Sequence, residues 1–352
     1  MANNKNIGVF TNPKHELYVA DIETPRAEQL GEEDVLVHVK STGICGSDIH
    51  FQKHGQIGPT MVVRDEHILG HESAGEVKAV GSKVHELKVG DKVALEPGVP
   101  CQRCSNCLKG RYNGCEMVEF SSTPPVAGFL RRYIKHPARF CHKINSLNFE
   151  QGALLEPLSV VFSGIRHTGL LLGDTILICG AGPIGFVAAK CAEAAGAETI
   201  VITDVEQSRL DFIKLRVPRV KTVRVGRSME ENIKNLNKVQ VGYNVCFECT
   251  GVEPSIELAT NVLVFGGKLH IIGVGKEYQQ IPFMVLSVKE IAVTFQYRYA
   301  NTWPTAIKLA ENGIVNLDSV ITHRFSLEEA KKAFETASDP RSGAMKIMIV
   351  DD

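Results

Sequence analysis

Four cysteines lie close together with C-x2-C-x2-C-x7-C spacing, namely Cys101, Cys104, Cys107 and Cys115. Thiolates at this spacing can all reach one ion, and four of them make a closed tetrahedral zinc shell. Because a closed shell leaves no position for water or substrate, the cysteines predict a structural zinc lobe at about residues 98–118. Four unrelated thiols are the alternative interpretation.

A second set of metal-ligand residue types is spread over the first 156 residues. It comprises Cys45, Ser47, Asp48 and His50 in "GICGSDIH", His71 and Glu72 in "LGHES", and Glu156 in "LLEPLSV". One Cys, one His and one or two carboxylates form a three-ligand shell with room for water, which is typical of catalytic zinc. Each residue alone is more often part of a core, but their occurrence together favours a catalytic metal site.

A glycine-rich turn follows the apolar strand "TILIC". Its residues are Gly180, Gly182, Pro183, Ile184 and Gly185, and an Ala-rich helix comes next. This arrangement predicts a dinucleotide site, with the pyrophosphate at the helix N-terminus. Asp204 ends the following strand about 20 residues on, where a carboxylate binds ribose hydroxyls and repels a 2′-phosphate, which favours NAD. An S-adenosylmethionine methyltransferase is the alternative.

The elements that must position these residues fall into two classes. Residues 1–155 contain short β runs separated by Gly and Pro, which predicts a barrel-like all-β unit. From about Leu170 a βαβ pattern begins, followed by the strands "YNVCFE" and "GGKLHIIG", which predicts a doubly wound parallel sheet. Two helices and the strand "KIMIV" complete the chain. The fold class is therefore α/β plus all-β.

Composition limits the function classes. A chain of 352 residues is long enough for about two domains. Its net charge of −1 gives no electrostatic reason to expect nucleic acid or an anionic membrane as a partner. The first residues do not resemble a secretory signal, and no apolar run is long enough to span a membrane. We therefore expect a cytoplasmic protein with reduced cysteines.

The motif Gly70-His71-Glu72-x2-Gly75-x5-Gly81-x2-Val84 resembles the signature of the zinc-dependent medium-chain alcohol dehydrogenases. "GICGSDIH" and the four-cysteine lobe are similar to that family too. Within the family, "GRYNGCE" and "YRYANTWP" most resemble the polyol dehydrogenase branch, in particular fungal L-arabinitol 4-dehydrogenases. The resemblance implies a GroES-like catalytic domain at 1–157, a Rossmann domain at 158–298, and a segment at 299–352 that returns to the catalytic domain.

The resemblance also implies an activity and a set of site residues. The activity is NAD-dependent oxidation of L-arabinitol to L-xylulose, with xylitol or sorbitol as alternative substrates, in a homotetramer carrying one catalytic and one structural zinc per chain. Cys45, His71 and Glu72 resemble the catalytic zinc ligands, Glu156 binds or orients the zinc-bound water or substrate, and Ser47 with His50 resembles a proton relay. The expected polyol pocket consists of Phe51, Phe120, Thr123, Glu156, Arg298 and Tyr299. The expected nucleotide site consists of Gly180, Gly182, Pro183, Ile184, Gly185, Asp204, Arg209, Thr250, Gly273 and Val274.

Two departures and two rival functions remain at this point. Phe51 stands where sorbitol and xylitol dehydrogenases commonly have Tyr, which favours L-arabinitol, and Ala300 stands where many relatives have Cys. A zinc-free quinone or enone reductase of the same fold would need neither metal motif. A non-enzymatic zinc or redox sensor would not need an NAD motif and an open metal shell together.

Overall fold

The computed structural model describes residues 5–351, which form two compact units. Unit 1 contains the chain up to Glu156, Trp303–Gly313 and the chain from Ile321 onward. Unit 2 contains Pro157–Thr302 and Ile314–Val320. The domain boundaries expected at 157 and 298 stay predictions.

Unit 1 is mainly β-structure, as its short, turn-rich strands predict. Its strands are β1 (Ile7–Thr11), β2 (Leu17–Asp21), β3 (Asp34–Gly43), β4 (Gln56–Ile57), β5 (Met61–Val62), β6 (His67–Ile68), β7 (Glu72–Val80), β8 (Lys92–Leu95), β9 (Gly98–Val99), β10 (Glu119–Phe120), β11 (Tyr133–Pro137) and β12 (Cys141–Lys143). Its short helices are α1 (Gly46–His54), α2 (Ser105–Leu108) and α3 (Phe149–Ala153). The longer helix α4 (Leu155–Thr168) begins in unit 1 and continues in unit 2.

Unit 2 is a six-stranded parallel sheet with helical connections. Its elements are β13 (Thr175–Cys179), α5 (Pro183–Ala194), β14 (Thr199–Asp204), α6 (Gln207–Arg216), β15 (Val220–Arg224), α7 (Met229–Val239), β16 (Tyr243–Glu248), α8 (Glu253–Val262), β17 (Leu263–Ile271), α9 (Phe283–Val288) and β18 (Ala292–Phe295). The strand order is β15-β14-β13-β16-β17-β18, and every pair is parallel. Apolar strands buried on both faces and linked by helices give this arrangement, which confirms the predicted doubly wound sheet.

The last part of the chain returns to unit 1. Its elements are α10 (Trp303–Glu311), β19 (Ile321–Ser326), α11 (Ala330–Ser338) and β20 (Lys346–Val350). Strand β20 pairs antiparallel with β3, which places it in the sheet β12-β8-β7-β3-β20-β19, with β11 also on β3. The carboxy-terminal strand therefore contributes to the same sheet that carries the start of β7. Within the part of the chain that the structure describes, none of the helices combines the length and apolar character needed to span a membrane.

Candidate active site and metal centres

The four clustered cysteines share one site. The Sγ atoms of Cys101, Cys104, Cys107 and Cys115 all lie within 4.8 Å of one another, and none forms a disulfide. Backbone N–H groups of Arg103 and Cys104 lower the pKa of the Cys101 thiol to about 6, whereas burial and the neighbouring Cys104 thiol raise that of Cys107 to about 12. Four thiolate donors on a short loop fit a structural zinc ion.

A second group of metal-ligand atoms comes from Cys45, His71 and Glu72. Their ligand atoms also lie within 4.8 Å of one another. Cys45 is the N-cap of α1, and Glu72 begins β7 immediately after His71. Burial alone would lower the pKa of His71, but the Asp48 carboxylate and the Cys45 thiol raise it well above its usual value. The negative electrostatic potential that raises this pKa would also favour a bound cation.

Asp48 connects the segment that carries Cys45 to the segment that carries His71. Its Oδ2 accepts the backbone N–H of Cys45 at 3.0 Å, which completes a capping box at the start of α1. Its Oδ1 accepts the backbone N–H of Gly70 at 3.0 Å and lies 3.4 Å from His71 Nδ1. Because the fully buried Asp48 engages Nδ1, Nε2 is the nitrogen of His71 that is left to bind a metal ion.

Glu72 makes a buried ion pair with Lys346. The ammonium of Lys346 lies 2.7 and 2.9 Å from the two carboxylate oxygens and donates to the Ile44 carbonyl at 3.1 Å. Both side chains are almost completely buried. Gly43 pairs with Glu72 in the sheet and leaves room for the Glu72 carboxylate, because a Cβ at residue 43 would collide with it. Burial would lower the pKa of Lys346, but Glu72 and then Cys45 raise it.

Two of the other residues predicted in unit 1, Ser47 and Phe120, lie against His71. Ser47 Oγ lies 3.3 Å from His71 Nε2, and the Phe120 ring centroid lies 6.0 Å from that of His71. Glu156, at the start of α4, is buried and contributes to the raised pKa of Lys346. Its carboxylate is outside the group of ligand atoms within 4.8 Å. Phe51 is buried and Thr123 half-buried, whereas His50 is exposed on α1.

Unit 2 positions the predicted nucleotide residues at the carboxyl ends of its strands. Gly182 caps α5 and Pro183 occupies its first turn. A Cβ at Gly185 would collide with the Gly180 carbonyl, so helix and turn approach as closely as the motif predicts. The carboxylate of Asp204 accepts the backbone N–H of Ala181 at 2.8 Å and that of Glu206 at 2.9 Å.

The remaining predicted nucleotide residues follow neighbouring strands, except Arg209, which is exposed on α6. Thr250 follows β16, and Gly273 and Val274 follow β17. The buried carboxylate of Glu248 accepts the backbone N–H of Thr250 and that of Gly251, each at 2.8 Å. Sequence reasoning missed Glu248, although an acid that ends a strand before Cys-Thr-Gly is the available signal.

Arg298 and Tyr299, the polyol residues predicted in unit 2, lie just after β18. Arg298 has φ = +55°, the left-handed region, and its guanidinium lies 4.8 Å from the Tyr297 ring centroid. Tyr299 is buried, at 3% exposure.

Comparison with known proteins places this arrangement in a family. Residues 31–146 match the family model of the alcohol dehydrogenase GroES-like domain, and residues 183–312 match that of the zinc-binding dehydrogenases. The chain is 54% identical to L-arabinitol 4-dehydrogenase of Hypocrea jecorina, across 98% of this chain and 93% of that protein. This chain belongs to the zinc-binding dehydrogenase family. The predicted family and fold class are thereby confirmed.

More distant relatives agree with this assignment. Sorbitol dehydrogenase of Mus musculus is 42% identical over 92% of this chain and 90% of that protein. The crystal structure of L-idonate 5-dehydrogenase of Escherichia coli superposes with a TM-score of 0.89 at 26% identity, covering 99% of this chain and 98% of that chain. Membership in a zinc-binding dehydrogenase family argues against both the zinc-free reductase and the non-enzymatic sensor.

Proposed function

We propose that this zinc-binding dehydrogenase oxidises a secondary hydroxyl of a polyol with NAD, and that L-arabinitol, giving L-xylulose, is its substrate. The observation that carries the proposal is the 54% identity, over nearly the whole of both chains, to a protein named L-arabinitol 4-dehydrogenase. The grouping of Cys45, His71 and Glu72 supports the metal-dependent part. Xylitol and sorbitol are the alternative substrates.

Each side chain has a proposed role. Cys45, His71 and Glu72 hold the catalytic zinc, which when bound supplies the positive charge that makes a coordinated hydroxyl more acidic. Glu156 orients the water or substrate, and Ser47 Oγ followed by the exposed His50 carries the hydroxyl proton away. Asp48 fixes the ring of His71 through Nδ1. The four cysteines hold a second, structural zinc.

Unit 2 has the other proposed roles. The turn from Gly180 to Gly185 and the carboxylate of Asp204 bind NAD, whose nicotinamide when bound accepts the hydride. Arg298 and Tyr299 hydrogen-bond to hydroxyls of the polyol, since a guanidinium has several donors in fixed directions. We also propose a homotetramer, which the family resemblance supports. A cytoplasmic location is proposed because the cysteines are unbridged.

Steady-state kinetics with L-arabinitol, xylitol, D-sorbitol and 2-butanol test the substrate assignment. L-Arabinitol should have the highest kcat/KM. We expect Arg298→Ala to lower kcat/KM for the polyols by about 100-fold and that for 2-butanol by less than about threefold, because 2-butanol lacks the extra hydroxyls. Arg219→Ala, at the amino end of β15, is the matched control and should change neither. Equal losses on all four alcohols would refute the role of Arg298.

Cofactor choice is tested at Asp204. The native protein should prefer NAD over NADP by at least about tenfold, equivalent to roughly 1.4 kcal/mol, because a carboxylate repels the 2′-phosphate. Asp204→Ser should narrow this ratio, as measured by kcat/KM with each nucleotide. Glu206→Ser removes an exposed acid from the same turn and should leave the ratio unchanged. If Glu206→Ser changes the NAD/NADP ratio more than Asp204→Ser does, the carboxylate that discriminates against NADP is that of Glu206.

A further inference from the structure

The side-chain amide of Gln296 connects a buried histidine to the backbone of Arg298. Gln296 immediately follows β18, and its Oε1 lies 3.0 Å from Nε2 of His270 and 3.4 Å from Nδ1 of His167. Its Nε2 donates to the carbonyl of Arg298. The backbone N–H of Gln296 donates to the carbonyl of Ile271 at 2.8 Å. Main chain and side chain of Gln296 are therefore both fixed to unit 2.

The direction of each hydrogen bond follows from the groups involved. His270 is completely buried, and burial lowers its pKa to about 4, so the imidazole is neutral with a single N–H near pH 7. Because the Arg298 carbonyl can only accept, the NH2 of Gln296 faces it and Oε1 faces His270. His270 Nε2 must then carry the proton, and Nδ1 accepts from the hydroxyl of Thr294 at 2.8 Å. The chain from Thr294 to Arg298 has one consistent arrangement.

The residue at the end of this chain has an unusual backbone. Arg298 has φ = +55°, a region that disfavours a residue with a long side chain. Such a conformation persists only where surrounding bonds impose it. The bond from Gln296 holds the carbonyl of that same residue. Released from it, Arg298 could relax to a commoner backbone conformation and its guanidinium would change direction.

We propose that Gln296 is a positioning residue for substrate binding: supported by His270, it fixes the backbone of Arg298 so that the guanidinium is preorganised to bind polyol hydroxyls. The inference rests on the proposed role of Arg298. A preorganised donor binds without first losing conformational freedom, so loss of the positioning bond weakens substrate binding more than it slows the chemical step.

Gln296→Met tests the inference because methionine has a similar length and forms none of the three side-chain hydrogen bonds of Gln296. We expect the KM for L-arabinitol to rise about five- to tenfold with kcat changed less than about twofold. The kcat/KM for 2-butanol and the Kd for NADH should stay at their native values, whereas the Tm should fall because the buried N–H of His270 loses its acceptor. A merely structural role would instead affect both alcohols equally and lower kcat as much as it raises KM. An unchanged KM for L-arabinitol would overturn the inference.

Two further variants separate the bonds of Gln296 from the general loss of an amide. Gln296→Glu keeps an acceptor for His270 but no longer donates to the Arg298 carbonyl, so it should raise the KM at least as much as Gln296→Met. Gln240→Met is the matched control, since Gln240 also donates to backbone carbonyls, those of Val241 and Gly242, at the amino end of β16. It should leave all kinetic constants unchanged. A native KM in Gln296→Glu would place the effect in the bonds to His270 and His167 and refute positioning through Arg298.

The double variant Gln296→Met/Arg298→Ala distinguishes this inference from the proposed function. If Gln296 acts through Arg298, the double variant loses no more kcat/KM for L-arabinitol than Arg298→Ala alone. If Arg298→Ala is not selective for polyols, the role of Arg298 in the proposed function fails. If Arg298→Ala is selective but the losses of the two single variants add, the proposed function stands and the positioning role of Gln296 is refuted.

Discussion

Replacement of His71 by alanine is expected to lower polyol oxidation by more than about a thousandfold, because it removes one of three candidate ligands of the catalytic metal. Cys45 and Glu72 alone would hold the ion weakly. Zinc content should therefore fall from about two ions per chain to about one, since the four-cysteine site is intact. NADH should still bind, because the predicted nucleotide residues are all in unit 2.

The matched control for His71→Ala is an imidazole that is buried equally well but is outside the ligand group. His136 is 4% exposed, lies in unit 1 and bonds to the Glu96 carbonyl at 2.9 Å. His136→Gln should keep both zinc ions and most of the turnover in any folded fraction. Zinc analysis of the purified proteins and NADH fluorescence titration supply the measurements. Turnover that survives complete removal of zinc from the native protein would contradict the mechanism.

Local motifs explain why much of this site could be predicted from sequence. The four cysteines span residues 101–115, and the glycine turn lies directly between a strand and a helix. In both cases the spacing alone determines which atoms can meet. His71 and Glu72 are adjacent in the chain, and the structure brings Cys45 to them. The role of Asp48 is not predicted by the metal-ligand pattern, although a polar residue three positions after an N-cap is a recognisable capping signal.

Other contributors could not be predicted because they depend on strand pairing. Lys346 is 274 residues from Glu72, and it meets that carboxylate only because β20 pairs with β3. In sequence it is simply the first residue of "KIMIV", where a lysine usually indicates an exposed position. His270 and Gln296 are likewise ordinary until the register of β17 and β18 is known. Residue type and spacing identify sites built from one short segment. The residues that support such a site from distant parts of the chain can be identified only when the strand pairing is known.

The pair formed by Lys346 and Glu72 gives a second large expected effect. Lys346→Met should lower the free energy of unfolding of the zinc-free protein by about 3–5 kcal/mol, because it leaves a buried carboxylate without its cation. The side chains are 4% and 1% exposed, so water cannot replace the lost partner. With zinc bound the loss should be smaller, since the ion supplies positive charge to Glu72. Urea unfolding of the zinc-free and zinc-loaded forms measures both values.

An exposed ion pair between a lysine and an aspartate supplies the control for this experiment. Lys5 and Asp21 lie 3.0 Å apart but are 71% and 64% exposed, so Lys5→Met should cost less than about 1 kcal/mol. The double variant Lys346→Met/Glu72→Gln removes the buried charge together with its partner. It should recover most of the stability of the zinc-free protein, because no buried charge is left without a partner. Its affinity for zinc at the catalytic site should nevertheless be low, because the metal requires the Glu72 carboxylate. A Lys346→Met protein no less stable than Lys5→Met, in the absence of zinc, would show that the buried pair does not stabilise the fold.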